Sequence, residues 1–534
     1  MPDSVSATRD LRSHAHATPD RAAIVCGSET WSYAALEAMS NRIAAVLRSL
    51  GLTRGDHVAS LVGNRAEAVA LGWAAWRAGV YLTPMPTSLT ATELRYLVDD
   101  CDAKVVIADA ALAGVAAQFP TLPKPGIAWL SLRGAIPGFV AIEPLLAQVS
   151  PEPDAHEAPG ALMVYTSGTT GAPKGVFRPL LPVDYHGTPP FAGDLLTLFG
   201  LGGDDVRYLS TAPLYHAAPL RFALAVTAGG GTVHVMERFD ADEALHLLER
   251  HAITHSQWVP AMFQRLLELP AGRRAAFAAP AHRCAIHGAA PCPAALKKAL
   301  IEWWGPIVLE YYSGSEGVGL SLIDSMEALA RPGSVGRARK GTLHIADEAG
   351  HALPAGATGL VCFSGVAPFA YYKAPEKTAA RTLPQGWQTF GDIGHVDETG
   401  YLYLTDRQDD MIISGGVNVY PQEIESAIRA VEGVWDCAVV GVEDERFGER
   451  AVAFLVPVRG MPKGDPQALI AAVRAHCESH LGRIKRPSDF RLIDSLPRSP
   501  TGKLLRRRLR ELVIAAHGPL PAAGVPTGSA TGTP

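Results

Sequence analysis

Helix-period and strand-period segments alternate along most of this chain, and that alternation restricts the fold more than any other feature. Tyr33-Ala34-Ala35-Leu36 opens a segment with apolar residues three and four apart that ends near Leu50-Gly51. Gly55-Asp56 precedes the apolar run Val58 to Val62, a second helical pattern runs from Ala66 to Ala78 before Gly79, and Val105-Val106-Ile107 is a further strand. Thr232–Val235 and Ala241–Arg250 repeat the pair as strand and helix. Short strands separated by helices predict a layered α/β architecture on a mainly parallel sheet.

The pattern changes twice toward the C-terminus. Between Phe390 and Leu404 it reads as short β-like pieces broken by Gly391, Gly394 and Gly400. From Pro421 onward, helix Gln422–Val431, strand Cys437–Val442, strand Val452–Val456 and helix Pro466–Leu481 describe a compact α+β unit. The 534 residues therefore divide, on this reading, into a large α/β unit at 1–406 with a small β-rich part, a smaller mobile unit at 407–516, and a tail at 517–534. The tail is rich in Pro, Gly, Ala, Ser and Thr and is expected to be disordered. The stretch from Phe177 to Phe199 reads as a long loop on the substrate side.

Composition narrows the function. Lysine and arginine number 48 against 53 acids, a net charge of −5 that marks neither a nucleic-acid surface nor a polybasic membrane patch. The seven cysteines are scattered without a CxxC pair, which argues against a zinc site or disulfide framework and for a reducing cytoplasm. No signal peptide is read in the opening residues, and no run approaches the ~18 apolar residues of a spanning helix.

The densest chemistry lies in Tyr165-Thr166-Ser167-Gly168-Thr169-Thr170-Gly171-Ala172-Pro173-Lys174-Gly175. Glycines at 168, 171 and 175 free the backbone to turn its N–H groups toward one point. Four hydroxyls and one ammonium add donors suited to a polyphosphate. The Walker template fails, because Pro173 stands where its second glycine belongs. A polar surface turn is the ordinary meaning of a short Gly-Ser-Thr loop, but this donor density favours phosphate.

These residues resemble the phosphate-loop signature of the adenylate-forming superfamily, which includes acyl-CoA synthetases, peptide adenylation domains and beetle luciferases. Further motifs follow in the same order. Tyr312-Ser313-Gly314-Ser315-Glu316 is similar to the family's aromatic–Gly–x–Thr–Glu segment, with serines at 313 and 315. Gly391-Asp392 resembles its Thr-Gly-Asp motif, with Phe390 in place of the threonine, and Arg407 matches the next arginine. Pro497-Arg498-Ser499-Pro500-Thr501-Gly502-Lys503 matches the final motif. The resemblance spans about Trp31 to Lys503.

The resemblance implies a role for each position. Thr166, Ser167, Gly168, Thr169, Thr170 and Lys174 would hold ATP phosphates, with Glu316 and Thr166 on a bridging Mg²⁺. Tyr312 would pack on adenine, Ser315 bond a phosphate, Asp392 and Arg407 hold the ribose, and Gly288, Ala289 and Ala290 line adenine and substrate. Asp409 falls at the interdomain hinge. Gly415 and Gly416 would approach the pantetheine arm of coenzyme A. Lys503 would reach the α-phosphate and acyl carboxylate, and His216 would gate the acyl pocket.

The implied enzyme is an AMP-forming acid–thiol ligase using ATP, Mg²⁺ and coenzyme A. Its pocket stretches, Tyr215–Ala218, Trp258–Met262, Ile286–Ala289 and Ser313–Val318, carry no Asp or Lys to meet an α-amino group, so a hydrophobic acid is expected. Their look is closest to bacterial fatty-acyl-CoA synthetases and steroid- or bile-acid-type ligases. An aryl acid, suggested by His216 and His287, stays open as substrate, as do a separate acyl carrier protein as acceptor and a homodimer. Among other classes, a luciferase-type oxidative enzyme stays open; a non-catalytic copy is disfavoured because Glu316, Asp392, Arg407 and Lys503 are all kept. A serine hydrolase is disfavoured because Ser167, Ser313 and Ser414 fail GxSxG.

Overall fold

The computed structural model describes residues 10–119, 126–166, 173–185, 187–414, 417–444, 447–458, 466–498 and 504–517. Two compact units result, with the chain passing from the first to the second between Leu404 and Thr405. The alternation of strand and helix patterns becomes a mixed α/β fold.

In the first unit, the strands Ala22–Cys26, Thr232–Val235, Arg207–Ser210, His255–Trp258, Cys284–His287 and Val308–Tyr312 lie side by side and parallel. They form the centre of a 13-stranded sheet whose remaining strands pair antiparallel at its two ends. A second sheet of six strands, built around His57–Leu61 and Ala103–Asp109, is parallel throughout. Helices Tyr33–Ser49 and Ala66–Ala78 bury apolar faces between the sheets. Local chemistry sets their ends: Ser32 caps the first through the Ala35 N–H, and Gly79 stops the second with a left-handed φ of 71°.

Two expectations are corrected. Gly391 and Gly394 do not break the β-pieces: Gln388–Val396 is one continuous strand. Both glycines are internal to it, because a Cβ at Gly394 would sit 2.3 Å from the Tyr403 carbonyl and Gly391 needs its φ of +82°. The facing strand absorbs the irregularity in a register shift between Leu360 and Cys362. The stretch 177–199 is also not wholly a loop, since its second half forms helix Pro190–Phe199, with proline in the first turn and Gly200 as left-handed cap.

The second unit is a sheet in the order Val417–Val419, Ile412–Ser414, Gly448–Pro457, Val434–Asp444, with Asp489–Leu492 parallel to Gly448–Pro457. Strand alternation sends Cys437 and Val439 to the face covered by Ile424, Ile428 and Val473, while Ala438 and Val440 meet Leu509 and Val513. At its centre Arg506 donates to Glu425 at 2.6 Å and to the Val439 carbonyl at 2.7 Å. Burial pushes the Glu425 pKa upward, but Arg506 and Arg429 outweigh it and hold the carboxyl below its ordinary range. The tail beyond His517 lies outside the described residues.

Candidate active site

Parallel strands all end at one edge, and four neighbours deliver the singled-out residues there. Arg207–Ser210 leads into Tyr215 and His216, His255–Trp258 into Val259, Cys284–His287 into Gly288, and Val308–Tyr312 into Ser313–Glu316. The crevice beyond the carboxyl ends of parallel strands is where open α/β sheets bind ligands.

A small antiparallel sheet carries the flanks of the phosphate loop. Thr166 stands opposite Lys174, and Val176 opposite both Val164 and Tyr371. The Lys174 ammonium lies 5.1 Å from the centre of the Tyr371 ring. The Tyr371 hydroxyl in turn donates to the Glu316 carboxylate at 2.7 Å. Burial, then the charge of Glu316, raises the pKa of this phenol, so it stays a donor. Ser167, Gly168, Thr169 and Thr170 lie outside the described residues.

Tyr312 and Asp392 meet directly, hydroxyl to carboxylate, at 2.6 Å. Phe390, in place of a threonine hydroxyl, contributes packing: its ring stands edge-on to Tyr312 at 5.5 Å. That contact requires a glycine at 314, where a Cβ would fall 2.6 Å from the Phe390 ring. Ser313 donates to the Gly319 carbonyl at 2.7 Å and closes the turn, while Ser315 and Glu316 are half-buried. A side chain at Gly391 would collide with the Arg381 guanidinium, 1.8 Å from the Cβ position.

On the other side of the strand ends, His216 occupies the N-cap position of helix Ala217–Ala228. Its Nε2 is enclosed with no partner among the described residues, and burial pushes its pKa down to about 4. His287 is fully buried with both ring nitrogens unpartnered among the described residues, and its pKa is well below the ordinary value. Gly288 fits against Tyr311, whose carbonyl a Cβ would approach to 2.7 Å. Ala289 takes a left-handed φ of 69°, a strained conformation for a side chain with a Cβ. Ala290 follows it, half-buried.

In the second unit Arg407 and Asp409 are exposed, beside and within a short 3-10 turn at Gln408–Asp410. Gly415, Gly416 and Lys503 lie outside the described residues. Sequence reasoning missed Tyr371, Arg381, Arg178 and Arg221. Arg178 donates to the carbonyls of Glu316 at 2.6 Å and Ala367 at 3.0 Å, so it clamps the Glu316 turn. Arg221 carried a signal, as the one charge in the apolar helix sequence AAPLRFALAVTA.

Parallel strand ends that deliver Glu316 and a Tyr312–Asp392 pair, in a chain whose sequence adds a glycine- and hydroxyl-rich loop, define a nucleotide-using α/β enzyme. The model of the AMP-binding enzyme family matches residues 11–373, and that of the AMP-binding enzyme C-terminal domain matches 423–503. The chain belongs to this family and is an ATP-dependent acid–CoA ligase. It is 33% identical over 491 residues to the long-chain-fatty-acid–CoA ligase FadD13 of Mycobacterium tuberculosis H37Rv, covering 90% of this chain and 92% of that one. It is 32% identical to the 2-succinylbenzoate–CoA ligase of Geobacillus kaustophilus, covering 94% and 97%. Its fold matches ATP-bound MatB of Rhodopseudomonas palustris with a TM-score of 0.80, at 30% identity over 95% of this chain and 100% of that one. No helix among the described residues is long and apolar enough to cross a membrane.

Proposed function

We propose that the acid this ligase activates has a hydrophobic body, of the fatty or steroid side-chain kind. The observation that carries this reading is the apolar character of the segments at and beyond the strand ends. Tyr215, Trp258, Val259, Met262 and Ile286 are buried there, and the two nearby imidazoles, His216 and His287, are held neutral by burial. FadD13, whose name specifies long-chain fatty acids, supports the same reading.

In the first half-reaction the acid's carboxylate, already ionised at neutral pH, attacks the α-phosphorus of ATP and pyrophosphate leaves. Charge cancellation between anionic nucleophile and polyanion is the requirement, and preorganised electrostatics supply it. Lys174 and the loop 166–170 hold the phosphates, Asp392 and Arg407 the ribose, Tyr312 and the 288–290 backbone the adenine. Lys503 draws the carboxylate and α-phosphate together. Mg²⁺ fits Glu316, a half-buried carboxylate oriented by the Tyr371 hydroxyl, because the ion prefers hard oxygen donors and takes its other ligands from phosphate and water. Held there with Thr166, the ion would supply further neutralisation of the phosphate charge. In the second half-reaction the thiol of coenzyme A attacks the mixed anhydride and AMP leaves; Asp409 is the hinge of this reading, and Gly415 and Gly416 are its residues for the pantetheine arm.

The test is mass-spectrometric detection of acyl-CoA after incubation with ATP, Mg²⁺, coenzyme A and a panel of fatty, aryl and steroid side-chain acids. Acyl-CoA from the fatty or steroid class is expected. Turnover confined to aryl acids would overturn the substrate reading.

A further inference from the structure

Helix Ala91–Asp100 ends against the usual electrostatic preference. Its last turn holds Asp99 and Asp100 and no basic residue, and Asp102 follows at once. Carboxylates at that end meet the negative pole of the helix dipole, and each costs stability unless a partner offsets it. Asp102 also takes a left-handed φ of 51°, turning the chain sharply from the helix into strand Ala103–Asp109. All three carboxylates have partners. Asp99 pairs with Arg95 at 2.9 Å, and Asp100 accepts from the Tyr165 hydroxyl at 2.5 Å. Asp102 pairs with the Lys373 ammonium at 2.7 Å and accepts from the Tyr372 hydroxyl at 3.0 Å.

Apart from Arg95, these partners belong to the small antiparallel sheet that carries the flanks of the phosphate loop, or follow directly from it. Tyr165 lies in strand Val164–Thr166, on the loop's entry side. Its ring lies over Gly175, the residue paired with it across the sheet, where a Cβ would fall 3.2 Å from that ring. The adjoining rung is Thr166 opposite Lys174, the last described pair before the loop. On the exit side the Tyr96 hydroxyl, from the same helix, donates to the Pro173 carbonyl at 3.2 Å. The third strand, Ala370–Tyr371, runs into Tyr372 and Lys373, and the Lys373 ammonium also donates to the Asp100 carbonyl at 2.9 Å. Tyr371, one residue earlier, is the donor to Glu316. One helix end therefore grips all three strands of the sheet. Burial, then Asp100, raises the Tyr165 pKa, so the phenol keeps the proton it donates.

We propose that Tyr165 is a positioning residue for ATP: bonded to Asp100 and seated on Gly175, it fixes the sheet rung from which the phosphate loop springs. This rests on the phosphate-loop reading above and deepens it. Tyr165 acts through Thr166 and Lys174 on the adjoining rung, whose hydroxyl and ammonium are then held where the phosphates arrive. Donors aimed beforehand need no reorganisation when charge develops, and a displacement of about 1 Å forfeits much of that advantage. Asp100 stands at the wrong end of its helix dipole because its use lies in the sheet, not in the helix.

The experiment measures kinetics for ATP, acid and coenzyme A, using the acid turned over best in the panel above. The proteins are wild type, Tyr165→Phe, Asp100→Ala, Asp100→Asn and the double variant Tyr165→Phe/Asp100→Ala, with Lys174→Met reporting on the loop itself. Tyr165→Phe is expected to lower kcat/KM for ATP by about tenfold to a hundredfold, the worth of one hydrogen bond to a charged group, and to do so through KM for ATP. KM for the acid and for coenzyme A should stay as in wild type. Asp100→Ala should match that loss, Asp100→Asn, which still accepts a hydrogen bond, should recover part of it, and the double variant should be no worse than either single one. Thioester formation from a supplied acyl-adenylate, which carries no β- or γ-phosphate, should be untouched. A merely structural role would lower the melting temperature and depress both half-reactions alike, and that result would overturn the proposal. Wild-type ATP kinetics in Tyr165→Phe, with KM for ATP raised in Lys174→Met, would overturn it while leaving the phosphate-loop reading intact. Wild-type ATP kinetics in both variants would overturn both.

Discussion

The two sides of the crevice, proposed above for nucleotide and for acid, are built on opposite principles. On the nucleotide side polar groups are bonded to one another before any ligand arrives: Tyr312 to Asp392, Tyr371 to Glu316, Arg178 to the Glu316 carbonyl. Each group is thereby aimed, and little reorganisation is left for the moment of reaction. On the side proposed for the acid the imidazoles are enclosed without partners among the described residues: His216 Nε2 and both His287 nitrogens. The first arrangement serves ATP, the nucleotide of this ligase. The second stores unsatisfied polarity that a particular acid has to complete.

The comparison breaks most visibly at Lys503. If catalytic charge is concentrated at the phosphates, Lys503→Ala abolishes adenylation yet spares thioester formation from a supplied acyl-adenylate; equal loss of both half-reactions would refute the assignment. Next in size is a buried charge that has its partner. Lys297 and Glu310 form an ion pair with both side chains 6% exposed. Lys297→Met leaves a carboxylate stranded and should cost about 3–5 kcal/mol, read by urea unfolding. Pairing Lys297→Met with Glu310→Leu should recover most of that loss.

The nucleotide side was legible in the sequence because its chemistry is local. Tyr312 through Glu316 and Phe390 through Asp392 are runs of a few residues in which strand end, turn glycine and functional side chain follow one another. The strand–helix alternation carried the fold for the same reason. What escaped reading depends on residues far apart in the chain. Tyr371 reaches Glu316 across 55 positions and Arg178 reaches it across 138, and neither stretch carries a motif of its own. Gly391 and Gly394 read as strand breakers because glycine is ordinarily a turn residue; only Arg381 and Tyr403, packed against them, show that a side chain would not fit. Helix Pro190–Phe199 was missed because prolines at 189 and 190 look like loop, whereas proline in a first turn is permitted.

Tyr371→Phe probes the nucleotide side at smaller amplitude. It removes one charge-assisted bond to Glu316 while keeping the ring under Lys174, so kcat/KM for ATP should fall by the equivalent of about 1.5–3 kcal/mol. No change in ATP kinetics would show that this pair does not aim the carboxylate.

The last contrast separates the two units by acid. In the first unit, burial lowers the pKa of His216 and His255 to about 4 and of His234 and His282 to about 3. Between those values and the ordinary ~6.5 the unfolded chain binds protons that the folded unit refuses. Stability from these groups is therefore lost as pH falls from about 6.5 toward 4. In the second unit, burial raises Asp406 to about 6 in spite of Arg506, so the folded carboxyl keeps a proton that the unfolded chain has already released. Its contribution is present in acid and lost as pH rises from about 4 through 6; Glu425, lowered instead, acts only below the ordinary carboxylate range. Calorimetry at pH 7.5, 6 and 5 should show the transition of the first unit falling on acidification while that of the second holds or rises. A fall of both in parallel would mean that Asp406 is not kept from water as its burial implies, and that the two units do not differ in how they treat buried charge.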